Sequence, residues 1–279
     1  MFDSPLVRKL IDLALEEDLA LGDITASLTV PDHHTSKAKV IAREKLVVCG
    51  VDIVSEIVRA GGWSLTVHTR VADGTVVEDG DILVELAGRT RDLLSAERTV
   101  LNFLQRLCGV ATYTRNFCEA CKGLKILDTR KTMPGWRLLD KYATKIGGAS
   151  NHRFSLGDMV LVKNNHIDAN PQGIRGALAE IVANKPLYMP WEVEVRDLEE
   201  LTIALSFNPT IIMLDNFQDD RLKEAVALIK SVSQPPMIEV SGGVSKERLA
   251  AIHAAGVDAA SVGALTTQAP NVDISMRIF

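Results

Sequence analysis

The stretch Trp191-Glu-Val-Glu-Val-Arg-Asp-Leu-Glu-Glu-Leu-Thr-Ile-Ala-Leu-Ser-Phe-Asn-Pro-Thr-Ile-Ile-Met-Leu-Asp215 decides the fold. It reads as a strand over 191–195, a helix over 197–205 and a second strand over 210–214. A strand that returns as a strand after one helix pairs in parallel with the first, since the crossover carries the chain back to the same end of the sheet. Working outward, the unit repeats. Strands are expected at 125–128, 159–163, 237–240 and 258–262 as well, with helices near 137–146, 172–183, 218–231 and 245–254. Such a series with no Gly-x-Gly-x-x-Gly opening favours an α/β barrel over a dinucleotide fold.

Upstream the pattern differs. Ser4-Pro5 supplies an N-cap and a first-turn proline, and Val7, Leu10, Ile11 and Leu13 keep helical spacing. Residues 37–49 alternate as a strand, with Ala38, Val40 and Ala42 on one face. Residues 51–60 read as a helix, and 63–69 and 75–86 as strands broken at Asp73-Gly74 and Asp79-Gly80. A long helical stretch, 91–121, with a break expected near Gly109, joins this α+β region to the repeats.

The 279 residues allow one or two domains, and 47% hydrophobic with 24% charged residues is ordinary for a soluble globular enzyme. A net charge of −5 argues against nucleic acid as a partner. No apolar run approaches the roughly 20 residues that cross a bilayer. Met1–Pro5 leads into a charged amphipathic helix, not a signal peptide, so no membrane partner and a cytoplasmic location are expected. Cys118-x-x-Cys121 has no second pair and no His at ligand spacing, and it reads as buried thiols in a reducing compartment.

In a barrel the working residues gather at the C-terminal ends of the strands. Those ends are Asp128-Thr-Arg-Lys131, Lys163, Glu194, Asp215, Ser241-Gly-Gly243 and Val262-Gly-Ala264. Ser241, Gly242, Gly243 and Gly263 let backbone N–H groups approach a phosphate. Glu194 and Asp215 are hard oxygen ligands that suit Mg²⁺ already bound to a diphosphate. Arg130, His152 and Arg153 offer forked or planar donors for carboxylates, and Lys131 and Lys163 add point charges. Five such groups close together repel one another unless a polyanion neutralises them. The plainer reading makes the glycines simple turns, the strand-end acids helix N-caps and the loop 147–156 a solvated one. It leaves unexplained why all these features fall at successive strand ends.

At these residues the chain resembles quinolinate phosphoribosyltransferases. The resemblance rests on Gly22-Asp-Ile-Thr25, Glu97-Arg-Thr-Val-Leu-Asn102, Thr129-Arg-Lys-Thr-Met-Pro-Gly135, Asn151-His-Arg153, Lys163, Asn165-His166, Glu192-Val-Glu194, Leu214-Asp-Asn216, Ser241-Gly-Gly243 and Gly256-Val-Asp258 to Leu265. It implies an N-terminal α/β sandwich and a C-terminal irregular, TIM-like α/β barrel. The expected division is 1–102 and 103–266, with the tail 267–279 packing back on the first domain. The implied reaction converts quinolinate and phosphoribosyl diphosphate to nicotinate mononucleotide, CO2 and diphosphate, with Mg²⁺. The implied assembly is a homodimer with shared sites, or a larger one such as a hexamer. By the same resemblance, Arg98 reaches quinolinate across the dimer, while Thr129, Arg130, His152, Arg153 and Lys163 line its pocket. Lys131, Glu194 and Asp215 serve the ribose, diphosphate and Mg²⁺. Ser241, Gly242 and Gly243 with Val262, Gly263 and Ala264 hold the 5′-phosphate.

The chain departs from the family pattern at Gly147-Gly148-Ala149-Ser150, Lys163-Asn164-Asn165-His166, Leu265-Thr-Thr-Gln268 and Cys108. None of these removes a charged group named above. Rival readings are a paralogue associated with molybdate transport, a Schiff-base aldolase-like barrel using Lys163 or Lys131, and a non-catalytic anion-binding protein. The first is expected to lack the Asn-His-Arg and Lys-x-Asn-His motifs. The second leaves Arg130, His152 and Arg153 without a role.

Overall fold

A computed structural model describes residues 1–279. Contacts group them into two compact units. One is Met1–Asn116 with Lys131–Gly148 and Ala264–Phe279, and the other is Phe117–Arg130 with Ala149–Gly263. The elements begin with α1 (Pro5–Leu19), α2 (Ile24–Thr29), β1 (Thr35–Ala42), β2 (Leu46–Val47), α3 (Ile53–Ala60), β3 (Thr66–Thr69), β4 (Val76–Val77), β5 (Ile82–Arg89) and α4 (Thr90–Ala120). They continue with β6 (Lys125–Leu127), α5 (Arg137–Gly147), β7 (Val160–Val162), α6 (Asn164–Ala169), α7 (Gly173–Asn184), β8 (Trp191–Val195), α8 (Leu198–Leu205) and β9 (Ile211–Asp215). The last are α9 (Asp219–Lys230), β10 (Met237–Ser241), α10 (Leu249–Ala255), β11 (Ala259–Ser261), α11 (Ala264–Thr267) and β12 (Ile274–Ile278).

The first unit is an antiparallel sheet, ordered β12-β1-β5-β3, with helices. On β1 the residues Ala38, Val40 and Ala42 are buried, which is the face the alternation predicts. They join Val7, Ile11, Ile53, Ile57, Leu83, Leu93 and Leu104 in one apolar core. The C-terminal strand completes the sheet: β12 runs antiparallel to β1, from Ala38 opposite Ile278 to Ala42 opposite Ile274. Ser4 caps α1 by accepting a hydrogen bond from Val7 N at 3.3 Å.

Three details differ from the reading of the sequence. The strand expected over 37–49 ends at Ala42, and only Leu46–Val47 resumes it, paired with β4. No break occurs near Gly109, because α4 is one helix of 31 residues. A Cβ on Gly109 would lie 2.1 Å from Pro270 O, so this glycine serves the close passage of the C-terminal segment. The expected boundary at 102/103 also falls inside α4, and α5 packs within the first unit. Leu139 and Ala143 of α5 enter the first unit's core, and Trp136 stacks on Phe103 with centroids 4.8 Å apart.

The second unit is a six-stranded sheet ordered β6-β11-β10-β9-β8-β7, with every pairing parallel. On the free side of β6, Leu127 forms a parallel bridge to Ser150, which begins to close the sheet on itself. This is the irregular barrel that the repeats predict, with strand bounds within one or two residues of expectation. The helix expected at 245–254 opens as a tight turn over Lys246–Arg248 before α10.

Alternation along the strands sorts the side chains. Val193, Val195, Ile212, Leu214 and Val240 share one buried apolar face. The register puts Glu194, Met213 and Glu239 in one row on the other face, with Asp215 and Ser241 one step nearer the strands' C-terminal ends. No helix is long and apolar enough to cross a membrane.

Candidate active site

The barrel unit holds Thr129, Arg130, His152, Arg153, Lys163, Glu194, Asp215, Ser241, Gly242, Gly243, Val262 and Gly263, while Arg98, Lys131 and Ala264 belong to the first unit. Glu194 and Asp215 do not cap the helices that follow them. Asp197 caps α8 by accepting from Glu200 N at 2.9 Å, and Gln218 is the N-cap residue of α9. The plainer explanation of these two acids is thereby removed.

The loop carrying His152 and Arg153 is built into the barrel. Asp128, fully buried, accepts from His152 N at 2.9 Å and from Asn151 Nδ2 at 2.6 Å. Ser150 N donates to Ile126 O at 2.8 Å, and Arg153 Nη1 donates to Met159 O at 2.9 Å. Burial, and after it the neighbouring Arg130 guanidinium, lower the Arg153 pKa. The buried Nε of Arg130 has no hydrogen-bond acceptor. Neighbouring guanidiniums, one with an unmet buried donor, have the chemistry to bind an anion.

Lys163 stands at the C-terminal end of β7 and pairs with Glu194 at the end of β8. Its charge is therefore half-exposed but paired in this state.

His152 faces inward. Its Nε2 lies 3.2 Å from Glu192 Oε2 and 3.6 Å from Glu239 Oε1, and its Nδ1 accepts the Arg153 amide at 2.7 Å. A neutral ring that accepts at Nδ1 carries its proton on Nε2, toward the carboxylates. Burial, and then the charge of Glu192, push the Glu239 carboxyl up to about 7. Glu192 and Glu239 were not among the candidate residues. The signal was there, since Glu192 lies two residues before Glu194 and Glu239 two before Ser241, on the same strand face. The ligand atoms of His152, Glu192 and Glu239 lie within 4.8 Å of one another, a spacing that could hold a cation. Glu192 Oε1 and Oε2 and Glu239 Oε1 are buried without a hydrogen-bond partner, and a metal at Nε2 would have to displace the imidazole proton.

After β10 the chain makes a two-glycine turn in left-handed conformations, with φ of 80° at Gly242 and 59° at Gly243. A Cβ on Gly242 would come 2.3 Å from Asn216 Oδ1, so a larger residue cannot stand there without moving Asn216. Gly243 O accepts from Arg248 Nη1 at 3.1 Å, which fixes the turn. Val262 N donates to Leu127 O at 2.9 Å, so that amide belongs to the sheet and not to a phosphate.

In the first unit Arg98 is exposed on α4, and Lys131 is exposed at the start of the loop before α5. Glu194 and Asp215, hard oxygens at the ends of adjacent strands, fit Mg²⁺ in donor chemistry. Asp215 also accepts from Asn216 Nδ2 at 2.9 Å. Cys118 and Cys121 form no disulfide, and only Cys121 is buried, while Cys118 is half-buried.

Residues 23–108 match the family Quinolinate phosphoribosyl transferase, N-terminal domain, and 110–277 match Quinolinate phosphoribosyl transferase, C-terminal domain. A Mycobacterium leprae protein, nicotinate-nucleotide pyrophosphorylase [carboxylating], is 39% identical over 97% of this chain and 96% of its own. A Methanocaldococcus jannaschii protein, probable nicotinate-nucleotide pyrophosphorylase [carboxylating], is 37% identical over the same shares. Among solved structures, the nicotinate-nucleotide pyrophosphorylase of Ehrlichia chaffeensis superposes with a TM-score of 0.92 at 33% identity, covering 100% of both chains. That of Francisella tularensis gives 0.91 at 36%, covering 98% of this chain and 96% of its own.

Proposed function

Because the chain belongs to the quinolinate phosphoribosyl transferase family, we propose that the barrel's cationic cluster binds quinolinate beside a phosphoribosyl donor. The enzyme is a carboxylating phosphoribosyltransferase of NAD synthesis. It joins quinolinate to phosphoribosyl diphosphate and releases diphosphate and CO2. The observation that carries the site is the Arg130–Arg153 pair with its unmet buried N–H.

The guanidiniums of Arg130 and Arg153 clamp the two pyridine carboxylates and so aim the ring nitrogen at the anomeric carbon. Fixed orientation of this kind contributes several kcal/mol, on the order of 7 at best. A dianion arriving beside Lys163 draws the ammonium away from Glu194. The freed carboxylate then faces the positive charge that grows on the ribose as diphosphate departs. Glu194 and Asp215 would hold Mg²⁺, which when bound offsets charge on the diphosphate. Lys131, next in the chain after Arg130, supplies a further point charge for the ribose and diphosphate. The Gly242–Gly243 turn holds the 5′-phosphate by backbone N–H groups. Once the nitrogen is alkylated, the adjacent carboxylate leaves as CO2, the pyridinium stabilises the electron pair left on that ring carbon, and the carbon then takes a proton from solvent.

Thr129 stands beside Arg130 and lines the same pocket, and the turn over Val262–Ala264 contributes at Gly263 and Ala264 only, since the Val262 amide is taken. Arg98 of a second copy completes each site in a homodimer, which is the assembly this reading requires. A cytoplasmic enzyme fits the substrates. Of the two lysines the aldolase-like alternative could use, Lys163 is held in an ion pair, and with Lys131 that alternative still leaves Arg130, His152 and Arg153 without a role.

The test is incubation with quinolinate, phosphoribosyl diphosphate and Mg²⁺, followed by assay for nicotinate mononucleotide. Its formation with equal release of CO2 supports the reading. Tight quinolinate binding without diphosphate release would make the protein a binding module instead.

A further inference from the structure

The loop that begins with Lys131 is tied down at four points, all within the first unit. Thr266 Oγ1 donates to Lys131 O at 2.6 Å. Arg137 Nε donates to Thr132 Oγ1 at 3.2 Å, and Met133 N donates to Asp140 Oδ2 at 3.4 Å. Trp136, at the end of the loop, stacks on Phe103.

Two of these ties meet in one guanidinium. Arg106 on α4 donates through Nε and Nη2 to Asp140 Oδ1, at 3.3 and 3.1 Å, and Nη2 also donates to Thr266 O at 2.7 Å. Asp140 is fully buried and Thr266 is 2% exposed. A buried carboxylate this dry needs its cation, and Arg106 is 13% exposed and faces it. The fork of Arg106 therefore locks α5 to α11, and both of those elements grip the Lys131 loop.

We propose that Arg106, Asp140 and Thr266 form a latch of positioning residues, which fixes the backbone of Lys131 and so sets where its ammonium meets the phosphoribosyl donor. None of the three touches substrate in this account. They act through Lys131 alone. The latch rests on the role given to Lys131 above, and it adds a part that role does not contain. A lysine has a flexible four-carbon stem, so its charge is aimed only as well as its backbone is held. Thr266 Oγ1 holds that backbone at the carbonyl nearest the ammonium's own root.

The experiment compares Thr266→Val, which keeps the shape and removes the hydroxyl, with Thr266→Ser, which keeps the hydroxyl. Thr266→Val is expected to raise the KM for phosphoribosyl diphosphate about tenfold, the loss of one good hydrogen bond, with the quinolinate KM unchanged. Thr266→Ser is expected to behave as wild type. Arg106→Lys keeps the charge and loses the fork, and should show the same selective rise if Thr266→Val does not fold.

The decisive arm places Thr266→Val on Lys131→Ala. If the latch works through Lys131, the second change has no further effect on the residual turnover. A further tenfold loss on that background would overturn the latch, and so would equal shifts in both KM values. Wild-type enzyme runs alongside. If it makes no nicotinate mononucleotide, the functional reading has failed, whereas normal wild-type turnover with an unaffected Thr266→Val enzyme sinks the latch alone.

Discussion

The ammonium of Lys163 and the carboxylate of Glu194 close an ion pair across the C-terminal ends of β7 and β8. The acid is 6% exposed and the base 42%, so Glu194 depends on Lys163 more than the reverse. Lys163→Ala leaves a nearly buried carboxylate without its cation. With a discount for the lysine's exposure, the expected loss of stability is about 1–3 kcal/mol. Turnover of quinolinate should fall by about 100-fold. Adding Glu194→Gln should recover most of the stability and none of the activity. Thermal melts and steady-state kinetics on both variants check this. A double variant as unstable as the single one would show that the pair carries no stability.

Glu239 gives a pH signature. Its folded carboxyl is raised to about 7, by burial first and by Glu192 second, from an ordinary value of 4.5. Between those values the unfolded chain releases this proton and the folded chain keeps it, so this group's contribution to stability falls as pH rises through that window. Glu239→Gln has no such proton. It should gain stability relative to wild type between pH 4.5 and 7, on the order of 3 kcal/mol across the window. Denaturant unfolding of both proteins at several pH values measures the difference. A difference that stays constant with pH would mean that Glu239 titrates as an ordinary carboxyl.

The sequence made the barrel legible because its signals are local. Trp191–Asp215 contains a strand, a helix and a strand in 25 consecutive residues, and the charged groups sit where each strand stops. Alternation along β8 and β10 also implied that Glu192 faces with Glu194 and Glu239 with Ser241. Which strands bring those acids to His152 is set by sheet order, and single-strand patterns do not carry sheet order. Gly109 misled for the same reason. Its partner, Pro270, is far along the chain, and a glycine kept for close approach looks like one that breaks a helix. The partner of Asp140 is likewise out of local reach, since Arg106 lies 34 positions earlier on another helix.

Gly242 makes the 5′-phosphate assignment testable. Gly242→Ala must fit a Cβ where Asn216 Oδ1 lies 2.3 Å away, in a left-handed conformation that costs roughly 1–2 kcal/mol for a side chain. The KM for phosphoribosyl diphosphate should rise about tenfold or more, while a quinolinate titration by calorimetry stays near wild type. Unchanged use of the donor would remove the turn from the site.

Arg98 tests the shared site. Arg98→Ala and Lys131→Ala should each be nearly inactive. Mixing and exchanging the two should restore activity toward one quarter of wild type, the share expected when one intact site forms in each of the half of dimers that are mixed. No recovery in exchanged mixtures would place Arg98 in its own subunit's site or in none.

The central claim is that paired guanidiniums at the barrel's strand ends select a pyridine dicarboxylate. Its most direct test is the ratio of kcat/KM for quinolinate to that for nicotinate, measured with phosphoribosyl diphosphate and Mg²⁺ in wild type and in Arg153→Ala. The account predicts a wild-type preference for quinolinate of at least about 1000-fold, reduced by about 100-fold when Arg153 is lost, as expected when a charged partner is removed from a buried anion site. Equal use of nicotinate and quinolinate by the wild-type enzyme would contradict it.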